Sequence, residues 1–406
     1  MRYDLIVVGG GAAGFFAAIE TAGRDPRLKI VILEKSTKLL SKVRISGGGR
    51  CNVTHNCFEP SPLSKHYPRG QKEFKQIFRV FQASDTVKWF QKRGVELITE
   101  EDGRMFPVTE NSETIIECFL KEAQKYKIEI LISTEVSGIK KENDEISVRT
   151  RDGRTLLTNN ILIAIGGHPM PNAYEWINKI GHHIIAPIPS LFTFNEPSKE
   201  FVDLMGVAVQ DADVKIAGTK FSSRGPVLIT HWGLSGPGVI RLSAWAAEYL
   251  HEINYHFMAL VNWTGEETEE SVRILLKEKI RTEGKKQIAS HPLFGIPQRL
   301  WDKLCVKAEV GEKLTWSESS SKIQNRLIEF LVRCPFQIQG KTTFKEEFVT
   351  CGGVDLKEID LETMQSQKMK GLYFAGEVLN VDGETGGFNF QSAWTTAWVA
   401  AKSIAS

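Results

Sequence analysis

No Cys-x-x-Cys pair occurs in the sequence, whose six cysteines (Cys51, Cys57, Cys118, Cys305, Cys334 and Cys351) are scattered. That spacing excludes a redox dithiol, a zinc ribbon and a disulfide framework, and it fits a reducing compartment. No metal site is expected. An excess of one charge is also lacking, since 51 basic residues face 49 acidic ones. A net +2 gives no overall field for recruiting nucleic acid or an anionic membrane, although local basic pockets stay open. No run approaches the roughly 18 apolar residues that a membrane helix requires. Leu5-Ile6-Val7-Val8 has no basic region ahead of it and ends in three glycines, so it reads as a strand and not as a signal peptide. The chain is expected to be cytoplasmic.

What is present is an ordinary globular composition, 42% hydrophobic and 25% charged, over a length that suits two or three domains. Leu5–Val8, Ala12–Ala22 and Lys29–Leu33 form a strand, helix, strand pattern of buried type. A basic, glycine-rich loop is expected over 38–55, a helical region over 74–94, and strands over 128–132, 146–150 and 156–165. From Pro187 the texture turns to period-two strands at 191–194, 207–216 and 253–261. Thr264-Gly265-Glu266-Glu267 has capping-box spacing and predicts a helix to about Ala289, with further helices over 298–308 and 323–332. Near Phe344 the chain is expected to return to the first domain, where 371–376 reads as a buried strand and a helix begins near Phe390.

Gly9-Gly10-Gly11-Ala12-Ala13-Gly14 satisfies Gly-x-Gly-x-x-Gly between a strand and a helix. Gly9 permits the tight turn, Gly11 lets a pyrophosphate approach the backbone, and Gly14 lets helix and strand pack closely, with the helix N–H groups offered to the anion. Glu34, at the end of the second strand, is placed to accept hydrogen bonds from ribose hydroxyls. A connecting glycine turn is the competing reading. The motif serves both FAD and NAD, and the far end of the chain favours FAD. There Gly376-Glu377 follows a strand, and Asp382-Gly383-Glu384-Thr385-Gly386-Gly387-Phe388-Asn389 leads into a helix whose amides suit developing negative charge.

The loop Ile45-Ser46-Gly47-Gly48-Gly49-Arg50-Cys51-Asn52-Val53-Thr54 resembles the SGGGRCN signature of the BaiN-like NAD(P)/FAD-dependent oxidoreductases, a bacterial flavoprotein family. Gly103-Arg104-Met105-Phe106-Pro107, Thr230-His231-Trp232-Gly233-Leu234-Ser235-Gly236-Pro237 and the segment from Gly371 to Trp394 match further elements in order. The departures are Phe388 and Phe390, where Tyr and Leu are common, and His55, where Asn is common. The resemblance implies an α/β architecture: a two-nucleotide, Rossmann-type FAD domain (1–189 with 344–406), an inserted β-barrel-like domain (190–263 with about 333–343) and a small helical subdomain (264–332). It implies non-covalent FAD, with residues 46–52 passing the reactive ring. Lys35, Lys42, Val136, Ala164, Gly166 and Gly167 complete the expected cofactor contacts.

A second Gly-x-Gly-x-x-Gly is absent, so NADH or NADPH would donate electrons only transiently, near the flavin, or the electrons come from the substrate itself. Arg50, Arg104 and His231 are the candidate substrate anchors, able to polarise a carbonyl or hold a carboxylate. Structural roles compete with function for Arg50 and His231. Cys51 reads as a packed thiol, and Trp394 and Trp398 as core. The resemblance implies a reductase of an unsaturated, enone-type small molecule of steroid or bile-acid character. An aminoketone oxidase using O2, or a flavin-binding protein with little turnover, are the alternatives. Nucleic acid and membrane are not expected partners.

Overall fold

The computed structural model describes residues 1–143, 145–342 and 349–406. The expected domain return at Phe344 lies outside the described residues. The chain divides into two compact units, Met1–Ser190 with Lys345–Ser406, and Leu191–Phe344.

The first unit is built on a sheet whose centre is parallel. Strand β1 (Arg2–Val8) lies between β2 (Ile30–Leu33) and the strand Thr155–Ile163, and these are flanked by Glu129–Leu131 and Leu372–Phe374. Leu5, Ile6 and Val7 are fully buried, as a strand covered on both faces requires, which is why the sequence shows a continuous apolar run there. Helix α1 (Ala12–Arg24) follows β1 at once, and the long C-terminal helix Phe388–Ile404 closes the same core. Phe16 on α1 stacks on Trp89 at 4.5 Å and lies 5.5 Å from Trp394, so Trp394 packs in the core as expected. An antiparallel hairpin, Val136–Glu142 with Glu145–Thr150, is added to the first half of Thr155–Ile163.

The second unit holds a seven-stranded antiparallel sheet. Cys334–Gln339 alternates buried and exposed along its length, as a half-buried strand should. The two ends of the strand order, Cys334–Gln339 and Lys341–Thr342, are separated in the chain only by Gly340. The helices Glu269–Glu283, Gln298–Lys307 and Ser321–Val332 bury Leu276, Trp301 and Leu331 in the same apolar cluster as the strand residues Val214 and Val261.

Two local expectations are corrected. The first of these helices starts at Glu269 and not at Thr264, because Thr264 is tied through its N–H and Oγ1 to Asn262 Oδ1 and Gly265 is left-handed at φ +74°. Thr268 is the cap: its Oγ1 accepts the Ser271 N–H at 3.2 Å and its own N–H donates to Ser271 Oγ at 2.8 Å. The loop expected over 38–55 contains helix α2 (Ser41–Gly49), which is broken by an extended Ser46 and left-handed Gly47 and Gly48.

Candidate active site

The dinucleotide turn is packed on one side and open on the other. A Cβ on Gly9 would stand 2.3 Å from the Ala164 carbonyl oxygen, and one on Gly14 would stand 2.0 Å from the Gly9 carbonyl oxygen. At Gly11, Gly48, Gly49 and Gly166 a Cβ would meet nothing within 4 Å, which leaves the room a ligand needs. The first helical bond of α1 runs from Phe15 N–H to Gly11, so the N–H groups of Ala12, Ala13 and Gly14 precede the ladder and are offered outward. Both Glu34 oxygens already accept backbone bonds, from Gly10 N–H and Ser36 N–H at 2.8 Å each, and each keeps a second lone pair. Thr134 N–H donates to the Glu34 carbonyl, which sets the start of the Val136 strand beside β2. Lys35 and Lys42 lie near His168, where burial first and these cations second hold the imidazole below its ordinary range.

The chain ends meet at Lys42 and Glu377, whose charged groups lie 2.5 Å apart although they are 335 residues apart in sequence. The other Glu377 oxygen accepts the Thr350 N–H at 3.0 Å, and Gly167 packs against both residues. The broken end of α2 and the 382–389 loop are joined by Asn52, whose amide oxygen accepts the Gly387 N–H at 2.9 Å and whose NH2 donates to the Thr54 carbonyl. Gly387 N–H is therefore spent within the protein. The N–H groups of Phe388, Asn389 and Phe390 precede the first bond of the C-terminal helix, Gln391 N–H to Gly387, and remain on offer. Asn389 in turn closes the loop through paired bonds with Gly383 at 2.9 Å.

Arg50 and Arg104 are brought together by a shared carboxylate. Arg50 Nη1 donates to Glu100 at 2.7 Å and Glu110 at 2.8 Å, while Arg104 pairs with the other Glu100 oxygen and with Asp102. The Arg50 guanidinium also lies over Phe106 at 4.0 Å. These partners hold Arg50 charged and oriented, while Nη2 makes no hydrogen bond among the described residues. His231 belongs to the second unit, where it is exposed beside Trp232 and lines a small pocket with Glu196, Lys199 and Thr230.

Cys51 is fully buried in a left-handed conformation, and burial pushes its thiol up to about 12. A protonated, enclosed thiol is a poor nucleophile. Cys51 should therefore resist a thiol reagent at pH 8 in the folded protein and react fully after unfolding, as mass mapping of the labelled peptides would show. Rapid labelling of Cys51 in the native state would reopen a redox role.

The motifs did not reveal a second set of residues around this loop. Asp382, expected at the cofactor, is fully buried and taken by a two-pronged ion pair with Arg69 and by the Ser190 hydroxyl at 2.6 Å. Burial holds its carboxyl above the ordinary range, with Arg69 and Ser190 pulling the other way. Phe388 is covered by two imidazoles: His66 lies face to face at 4.2 Å, and His55 stacks at 4.6 Å. His66 Nδ1 is 3.0 Å from Glu384, whose own N–H donates back to the His66 carbonyl. His55 Nδ1 faces the Gly386 carbonyl, and burial lowers its basicity. The atypical His55 was a usable signal; Arg69, His66 and Glu384 carried none.

Among the described residues no group of three or more His, Cys, Asp or Glu could hold a metal, and no helix is long and apolar enough to cross a membrane. A parallel sheet with a phosphate-type turn after its first strand is the architecture of a Rossmann-type nucleotide-binding protein. The profile of the HI0933-like protein Rossmann domain matches residues 3–403, and the chain belongs to that family. It is similar to the ribosomal RNA dihydrouridine synthase of Haemophilus influenzae, with 29% identity and 98% of each chain covered. It is also similar to the 3-dehydro-bile acid delta(4,6)-reductase of Clostridium scindens, at 25% identity and 98% of each chain. The 3-ketosteroid-delta4-(5alpha)-dehydrogenase of Rhodococcus jostii shares the fold, with a TM-score of 0.52 over all of this chain and 97% of that one at 12% identity.

Proposed function

We propose that the protein binds FAD and reduces a carbon–carbon double bond conjugated to a carbonyl group, with NADH or NADPH as the transient donor. The observation that carries the cofactor assignment is the open space at Gly11, Gly166, Gly48 and Gly49, with Lys42 paired to Glu377 beside it. Gly9, Gly11, Ala13 and Gly14 would hold the pyrophosphate, Glu34 the adenosine ribose, and Glu377 with the Phe388 and Asn389 amides the flavin end. The inserted sheet, the ends of whose strand order are separated in the chain only by Gly340, is read as barrel-like. FAD supplies the hydride chemistry when bound.

The names of the relatives point to one chemistry. Dihydrouridine is uridine with its C5=C6 bond reduced, and that bond is conjugated to the C4 carbonyl; the Δ4 bond of a 3-oxo steroid is conjugated to its carbonyl in the same way. A uridine in RNA is the leading substrate here, because the relative with the dihydrouridine name is the more similar of the two. An enone of steroid type is the second reading. Such a reduction needs a proton at the α-carbon. His66 is the group we assign to it: Glu384 fixes the Nδ1 side, Phe388 fixes the ring plane, and Nε2 has no partner among the described residues. The free Nη2 of Arg50 is the donor best suited to the substrate carbonyl. Arg104 stands as a further anchor.

The test is an anaerobic visible spectrum followed through two half-reactions. Bleaching by NADH or NADPH and recovery on adding uridine-containing RNA is expected. Recovery only with a steroid enone selects the second reading, whereas a flavin bleached by an aminoketone, with peroxide formed in air, would replace both with an oxidase. His66→Asn should slow the recovery step roughly 100-fold while leaving bleaching unchanged. Equal recovery rates would remove His66 from the chemistry.

A further inference from the structure

The near balance of charge over the whole chain conceals a local imbalance in the first unit. Between Lys65 and Arg93 there are eight Lys or Arg residues against two acids, Glu73 and Asp85. Three of the eight are engaged: Arg69 with Asp382, Lys88 with Asp85, and Arg93 with Glu20 and Glu122. Lys65, Lys72, Lys75, Arg79 and Lys92 are exposed and make no ion pair among the described residues. Lys72 and Lys75 stand on the helix Gln71–Ile77, and Arg79 follows in the next turn. The spacing i, i+3, i+7 puts all three on one face, opposite the buried Phe74, Ile77 and Phe78.

The position of this face matters as much as its charge. The helix is capped by Gly70, packed against Val381, and the preceding residue is Arg69, which clamps Asp382 in the loop before the C-terminal helix. Four residues further back is Lys65, next to His66. The cationic face therefore starts at the rim of the site and leads away from it. Seven residues of helix rise about 10 Å, close to three steps of roughly 3.4 Å per nucleotide, so the face reaches across about four successive phosphates of one strand.

We propose that Lys72, Lys75 and Arg79 form a track for the phosphate backbone of an RNA substrate, holding the strand while one of its bases enters the site. This rests on the uridine reading above. The track reads no sequence; it positions the strand. A face that only keeps the protein soluble would bind RNA no better than its neighbours do.

The experiment compares the flavin-loaded protein with the triple variant Lys72→Gln, Lys75→Gln, Arg79→Gln, all exposed positions at which Gln keeps the helix. Binding to a single-stranded, uridine-bearing ribosomal RNA fragment is measured against salt concentration. The slope of log affinity against log salt should fall by about 2, from about 0.7 for each of three lost phosphate contacts. Flavin content and bleaching by the nicotinamide donor should match the wild type. An unchanged slope, or no RNA binding by the wild type, overturns the proposal. So does loss in the variant of binding to phosphatidylserine vesicles with the RNA slope intact, which would assign the face to a membrane surface. If the slope falls but no uridine is reduced, the track stands and the reductase reading fails.

Discussion

Gly11→Leu should yield a folded protein that has lost its flavin. The two kinds of glycine in the turn separate cofactor effects from folding effects. At Gly11 a Cβ meets nothing within 4 Å, so a leucine side chain fits the free protein and occupies only the space a pyrophosphate requires. At Gly14 a Cβ would stand 2.0 Å from the Gly9 carbonyl oxygen, so even alanine forces α1 away from β1. Retention of FAD by Gly11→Leu should drop at least about 100-fold, equivalent to about 2.7 kcal/mol, with the melting temperature of the flavin-free protein unchanged. Gly14→Ala should lower that temperature as well. The check is the ratio of flavin to protein absorbance, together with thermal melts of both flavin-free variants. A Gly11→Leu protein that purifies with full flavin would move the cofactor away from this turn.

The legible and illegible parts of the molecule follow from the range over which each is specified. The β1–α1–β2 unit could be read because a strand buried on both faces must be apolar at every position, as Leu5, Ile6 and Val7 are, and because Gly14 answers a contact with Gly9 made within the same few residues. Thr268 was passed over for Thr264 because both have cap-like neighbours; the choice was settled by Asn262, which occupies Thr264. The break in α2 lay inside a glycine run whose dihedrals no pattern specifies. Arg69 and Asp382 are 313 residues apart, and His66 and Glu384 are 318 apart. Such pairs exist only once the two chain ends share a sheet, and they leave no local trace. Net charge misled in a different way: a sum over 406 residues cannot show that the cations of 65–93 lack acids to balance them.

The largest effect on stability is expected from Arg69→Met. Asp382 is fully buried and receives both prongs of the Arg69 guanidinium and the Ser190 hydroxyl, so removing the arginine leaves an uncompensated carboxylate in the interior. Breaking such a pair from one side costs about 3–5 kcal/mol. The loss should depend on pH, and its sign follows from the proton. Burial already holds the folded-state affinity of Asp382 for a proton above the ordinary aspartate value, and the loss of Arg69 raises it further. The folded variant then binds that proton more tightly than the unfolded chain does. Its stability therefore falls as pH rises from the unfolded value of about 3.9 toward the raised folded value, and recovers as pH is lowered. The gap to wild type in denaturant titrations should be widest at pH 7 and narrow toward pH 4. Adding Asp382→Asn should recover part of the loss at pH 7, because a neutral amide can stay buried beside Ser190 without a counter-charge. Equal stability of Arg69→Met and wild type at pH 7 would show that this pair does not hold the 382–389 loop in place.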